Sequence, residues 1–124
     1  MKGKNPLFAK NKAIVPDLPD SLTRSQKNRI VNGYTNIRDH VTEKDIEGAI
    51  EEIKGCGIKK RDGTLWQHYK EVDEAVKGII KDKGSLEKSI KNPGINPDAE
   101  KSINNAIKDF EIVINNWNKI KGNN

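Results

Sequence analysis

The sequence predicts a mainly α fold, a small helical domain of four to five helices. Three observations predict it. From about residue 22 onward, apolar residues recur at spacings of three and four. Helix-capping residues stand just ahead of these stripes. Glycines and an Asn92-Pro93-Gly94 turn separate them. The 124 residues are enough for one domain with one modest core. Only 33% are hydrophobic against 33% charged, so the core depends on how well the apolar positions are patterned.

Residues 1–20 contain Pro6, Pro16 and Pro19 and no clean period. They read as an extended basic arm ahead of one helical domain over residues 21–121. Asp20 or Ser21 caps a first helix whose apolar side is Leu22, Ile30, Val31, Tyr34, Ile37 and Val41, with Gly33 a weak point within it. Thr42 opens a second helix through a capping box in which Asp45 takes the place of the usual Glu. Ile46, Ala49, Ile50 and Ile53 form its apolar face, and Gly55 stops it. Residues 58–65 suit a short β-hairpin across Asp62-Gly63. A third helix runs from about Trp66 to Lys81, with Tyr69, Val72, Val76 and Ile79 facing inward. Gly84 breaks it, and a short helix carrying Leu86 and Ile90 follows. Asn96 caps the last helix, with Pro97 at its first position. Ile103, Ala106, Ile107, Phe110, Val113, Ile114, Trp117 and Ile120 give that helix a long apolar stripe.

Composition excludes several classes of function. No run of roughly 18 apolar residues offers a membrane span. No apolar stretch follows the basic N-terminus, as a signal peptide requires. Cys56 is alone, so neither an internal disulfide nor a thiolate zinc site is expected, and its glycine-flanked setting favours a turn over a catalytic thiol. No acidic or histidine cluster has metal-ligand spacing, and no nucleotide-binding loop is present, so neither metal nor cofactor is expected. Net charge is +5. Residues 1–40 hold eight Lys or Arg against three Asp, whereas residues 41–124 hold fifteen of each sign. The excess is either a solvated face or a site for a polyanion such as RNA.

The chain has two histidines, the side chains best suited to moving protons near neutral pH. His40 lies two residues before the Thr42 cap. A helix N-terminus can hold a phosphate, and the Thr42 hydroxyl can face it. Lys44 and Arg38 place cations nearby, and Asp45 belongs to the same turn. His68 lies three residues before Glu71, close enough for the carboxylate to orient the imidazole. Trp66 is placed either to stack on a base or to pack inward. Together these residues fit metal-independent cleavage of RNA. One histidine removes the 2′-hydroxyl proton, and the other protonates the leaving 5′-oxygen. The plainer readings are a surface histidine at a helix end and a surface ion pair worth a few tenths of a kcal/mol. A non-catalytic helical module that binds RNA or a protein partner, as an immunity or adaptor protein does, fits the same composition.

Two stretches carry a family resemblance. His40-Val41-Thr42-Glu43-Lys44-Asp45-Ile46-Glu47-Gly48-Ala49 resembles the H-x-T-x-x-D-x-x-G-A stretch of bacterial polymorphic toxin type 28 domains. The stretch from Gly63 to Ala75, with Trp66, His68 and Glu71, resembles that family's second motif, except that Gln67 stands where an Asp is expected. The resemblance covers about residues 37–120. It implies a C-terminal toxin domain of a larger secreted effector of contact-dependent growth inhibition, active in the cytoplasm of the target bacterium. It also implies a ribonuclease acting on tRNA, a cognate immunity protein, and elongation factor Tu as a helper. The family histidines map onto His40 and His68, with Thr42, Asp45 and Glu71 as companions.

Overall fold

A computed structural model describes residues 16–55 and 67–121. Four helices occupy these residues: α1 (Arg24–His40), α2 (Glu43–Ile53), α3 (His68–Ser89) and α4 (Pro97–Ile120). The mainly helical expectation holds. The expected hairpin over residues 58–65, Cys56, Trp66 and residues 1–15 of the arm lie outside the described residues.

Three of the four helix starts are set by local chemistry. Thr23 caps α1 through a capping box, its hydroxyl accepting from the Gln26 N–H and the Gln26 side chain accepting from the Thr23 N–H. This corrects the expected cap at Asp20 or Ser21. The reciprocal Gln three residues on satisfies two helix-end donors, and only Thr23 has that partner. Thr42 and Asp45 cap α2 as expected. The Asn96 side chain accepts from the Asp98 N–H at 2.8 Å to start α4, with Pro97 in its first turn. The fourth start, that of α3, has no local side-chain cap at Gln67.

The predicted break at Gly84 is absent, and α3 continues through it to Ser89, absorbing the short helix expected there. A glycine costs a helix about 1 kcal/mol relative to alanine. Burial of Ile79 before it and Leu86 after it, both at 0% exposure, outweighs that cost.

The α3 helix is the hub of the fold, packing against α1, α2 and α4, while α4 also meets α1. The predicted stripes form the core: Leu22, Ile30, Tyr34, Ile37 and Val41; Ile46 and Ala49; Val72, Val76 and Ile79; and the α4 series from Ile103 to Trp117. Val31 and Ile53 are the exceptions, both exposed. Arg29 of α1 reaches the buried Asp82 of α3 at 3.1 Å. Burial pushes the Asp82 carboxyl up, and the Arg29 guanidinium acts against it. With the His40–Glu71 contact described below, this pair sets α1 and α3 antiparallel. No helix among the described residues is long and apolar enough to cross a membrane.

Gly33 is a close-approach point rather than a weak one. A Cβ there would sit 2.1 Å from Phe110 Cζ, with two further ring atoms at 2.5 and 2.8 Å. Phe110 is fully buried and meets Tyr34 edge-on, with centroids 5.2 Å apart, so its ring has no room to withdraw. Gly33→Ala would gain at most about 1 kcal/mol of helix propensity. Overpacking of a dense core costs about 1–3 kcal/mol. The expected result is a net loss of unfolding free energy in urea denaturation, opposite in sign to the propensity effect.

Candidate active site

The first turn of α3 is where α1, α2 and α4 converge, and both histidines meet it. His40 is the last residue of α1, fixed by the fully buried Val41 and the short link to α2. Its Nδ1 lies 2.8 Å from Glu71 Oε2 of α3. His68 is the first residue of α3, and its Nδ1 lies 2.7 Å from Glu52 Oε2 of α2. The side chains of His40 and Glu71 are each 44% exposed, whereas those of His68 and Glu52 are each 14% exposed. Among the described residues there are therefore two histidine–carboxylate pairs, one open and one enclosed.

This pairing corrects the expected partnership of Glu71 with His68. Spacing along α3 puts the two on neighbouring positions, but α1 delivers His40 to Glu71 instead. The His68 ring turns toward α2, where Gly48 leaves a gap for it. A Cβ on Gly48 would lie 2.5 Å from both Cγ and Nδ1 of His68. Asp45, Gly48 and Glu52 follow one another at spacings of three and four, so they share one face of α2.

Glu52 is a candidate site residue that the sequence did not single out. Its Oε2 accepts from the His68 N–H at 2.8 Å, and its Oε1 accepts from the Tyr69 N–H at 2.8 Å. A side chain from α2 thus caps α3, replacing the cap that Gln67 does not provide. Burial pushes the Glu52 carboxyl up, but the Tyr69 and His68 N–H groups and the His68 ring outweigh it and hold it below the usual glutamate range. Two sequence signals pointed there. Glutamates at the C-terminal end of α2 oppose the helix dipole, and a helix start at Gln67 lacks a good capping side chain.

A groove of about 640 Å³ lies alongside the open pair. Asn36 and His40 of α1 line one side, and Gln67, Lys70, Glu71, Glu74 and Ala75 line the other. Lys70 supplies a cation, while Asn36 and Gln67 supply amide donors. Of the seven lining residues, only His40 and Glu71 were singled out from sequence as site residues, since only the antiparallel packing of α1 on α3 brings the others beside them.

The other expected site residues divide. Thr42 does not present an open phosphate site. Its hydroxyl donates to Asp45 Oδ2 at 2.9 Å, and its N–H reaches the same oxygen at 3.2 Å. Asp45 has taken that end of the helix, and together with Glu43 it makes the first turn of α2 acidic. Arg38 is engaged with its neighbour Asp39 through bonds of 2.8 and 3.1 Å. Lys44 is exposed on α2 and does not line the groove. Among the described residues, no three His, Cys, Asp or Glu side chains cluster as a metal ion would require.

The far side of α3 anchors this turn. Trp117 Nε1 donates to Asp73 Oδ1 at 2.9 Å, and the Trp117 ring meets Tyr69 with centroids 5.3 Å apart. Lys121 and Lys77 also reach Asp73. The Trp117 N–H pulls the Asp73 carboxyl down against the effect of its burial, and the two lysines add to the pull.

Comparison with known proteins places the sequence in a family. Residues 21–122 match the family described as Bacterial toxin 28. The chain is also 26% identical, over 99 residues, to the protein named tRNA nuclease CdiA from Escherichia coli O6:K15:H31 (strain 536 / UPEC). That similarity covers 75% of this chain and 3% of the relative, so the chain spans a small fraction of the length of the protein it resembles. The match extends over most of the chain and takes in both histidine–carboxylate pairs, and on that ground the chain belongs to the Bacterial toxin 28 family.

Proposed function

We propose that this domain is a ribonuclease toxin that cuts tRNA by metal-independent general acid–base catalysis. The observation that carries the reading is two carboxylate-held imidazoles that meet at the first turn of α3, with His40 lining a groove that also contains Lys70. A carboxylate accepts from Nδ1–H, which leaves Nε2 as the proton-transfer atom and stabilises the imidazolium when it forms. One histidine takes the 2′-hydroxyl proton, the 2′-oxygen attacks the phosphorus, and the other histidine protonates the departing 5′-oxygen. Lys70 and the amides of Asn36 and Gln67 face the charge that develops on the phosphoryl oxygens. The closed Thr42 cap favours Lys70 over Thr42 as the phosphate contact. Thr42 keeps a supporting role, fixing the turn that follows His40. Asp45 stands on the His68-facing side of α2, and Trp66, two residues before His68, is the stacking residue for a base.

The family and the similarity to a protein named as a tRNA nuclease support tRNA as the substrate. They also support a domain delivered as part of a larger secreted effector into a target bacterium. A cognate immunity protein that covers the groove, and elongation factor Tu as a helper, complete this reading.

The test is cleavage of total tRNA by the purified chain, with and without EDTA, and again with His68→Ala. Cleavage that survives EDTA and is lost in a folded His68→Ala variant is the expected result. No cleavage by the wild type, even with cell extract, returns the chain to a binding module. Cleavage abolished by EDTA refutes the metal-free route.

A further inference from the structure

Glu52 makes one contact more than a helix cap requires. Two backbone N–H groups, those of His68 and Tyr69, already occupy its two oxygens, at 2.8 Å each. The third contact, from Oε2 to His68 Nδ1 at 2.7 Å, adds nothing to the capping of α3. It also requires the imidazole to lie flat against α2, which a residue with a side chain at position 48 would prevent. The gap at Gly48 fits the ring so closely that a Cβ would lie 2.5 Å from its Cγ and Nδ1. Two features of α2, a glycine and a glutamate four residues apart, therefore converge on the ring rather than on the helix end.

We propose that Glu52 is the positioning residue for His68, fixing its ring against Gly48 in the Nδ1–H tautomer so that Nε2 is the atom that exchanges protons with substrate. This inference rests on the reading of His68 as an acid–base residue. A carboxylate offers only lone pairs, so the ring nitrogen facing it must carry the hydrogen. The N–H groups around Glu52 favour its ionised form, which keeps it an acceptor. When His68 takes a proton, the adjacent negative charge stabilises the imidazolium. Glu52 does not reach the reacting atoms and acts through the ring. The open pair at the other side of the turn has a different construction, because Glu71 holds His40 through a bond to one ring nitrogen in a position 44% exposed.

The experiment uses the full chain, with ¹⁵N-labelled histidine and a tRNA cleavage assay run from acid to alkaline pH. In the wild type, the His68 ring shifts should report hydrogen on Nδ1 in the neutral ring, and hydrogen on Nε2 overturns the proposal. In Glu52→Ala, the neutral ring should move toward the Nε2–H form. Its kcat should fall roughly 10²-fold, with KM within about twofold of wild type. Glu52→Gln retains an acceptor without the charge, so it should recover part of kcat, with the histidine limb of the pH profile displaced to lower pH. A residue that only caps α3 would lower thermal stability in both variants and leave tautomer, kcat per folded molecule and pH profile unchanged, which also overturns the proposal. If Glu52→Ala does not fold, Glu52→Gln and the wild-type tautomer decide. If the wild type cuts no RNA, the nuclease reading fails separately, and the tautomer measurements still decide whether Glu52 fixes the ring.

Discussion

Trp117→Ala is expected to remove about 3–5 kcal/mol from the unfolding free energy. The indole is the largest fully buried side chain, at 0% exposure, and it spans α4 and the first turn of α3. Truncation loses the transfer energy of the ring and leaves a cavity that helices held at both ends cannot close. It also loses the Nε1–H bond to Asp73. That loss adds little, because Lys77 and Lys121 still satisfy the carboxylate. Domains of this size have about 5–15 kcal/mol in total, so the loss takes a large share of the stability and leaves a domain at the lower end of that range marginally folded. Trp117→Phe separates the two contributions. It keeps most of the buried ring and loses the hydrogen bond, worth about 1 kcal/mol. Chemical denaturation of the three proteins checks the order. A loss below about 1 kcal/mol in Trp117→Ala would mean that α4 is not seated on α3 as described.

The parts of the fold that the sequence revealed are those determined within a few residues. The Thr42–Asp45 box and the Asn96–Pro97 start follow from side chains reaching backbone groups two or three positions away. The apolar stripes of α1, α3 and α4 were legible for the same reason, since a helix repeats its buried face at fixed spacing. Gly84 misled because its local cost was visible while the burial of Leu86 was not. The candidate site was legible in its residue types but not in its pairings. Both histidines and Glu71 were identified, and the choice of partner was missed, because only the approach of α1 and α2 to α3 decides it. Gly48 shows the same limit. In the sequence it is a helix-weakening residue in the middle of α2, and in three dimensions it is the gap into which an imidazole fits.

His40→Ala is expected to reduce RNA cleavage by roughly 10²–10⁴-fold, the usual contribution of a positioned acid or base. Stability should hardly change. The His40 and Glu71 side chains are each 44% exposed, and an exposed ion pair contributes about 0–1 kcal/mol. That contrast makes the prediction discriminating. A structural residue loses activity in proportion to the folded fraction, whereas His40 should lose activity with the denaturation midpoint intact. Glu71→Ala should reproduce part of the loss, because His40 keeps its imidazole but no longer has an acceptor to fix the Nδ1 hydrogen and the ring direction. The double variant should then be little worse than His40→Ala alone, since Glu71 acts through the ring it orients. Additive losses would instead mean that Glu71 contacts the substrate in its own right. Lys70→Ala, on the same groove, should chiefly raise KM and weaken its salt dependence, as expected for a phosphate contact rather than a proton donor. Wild-type cleavage rates in a folded His40→Ala variant would remove the open pair from the chemistry and leave the enclosed His68–Glu52 pair to carry both proton transfers.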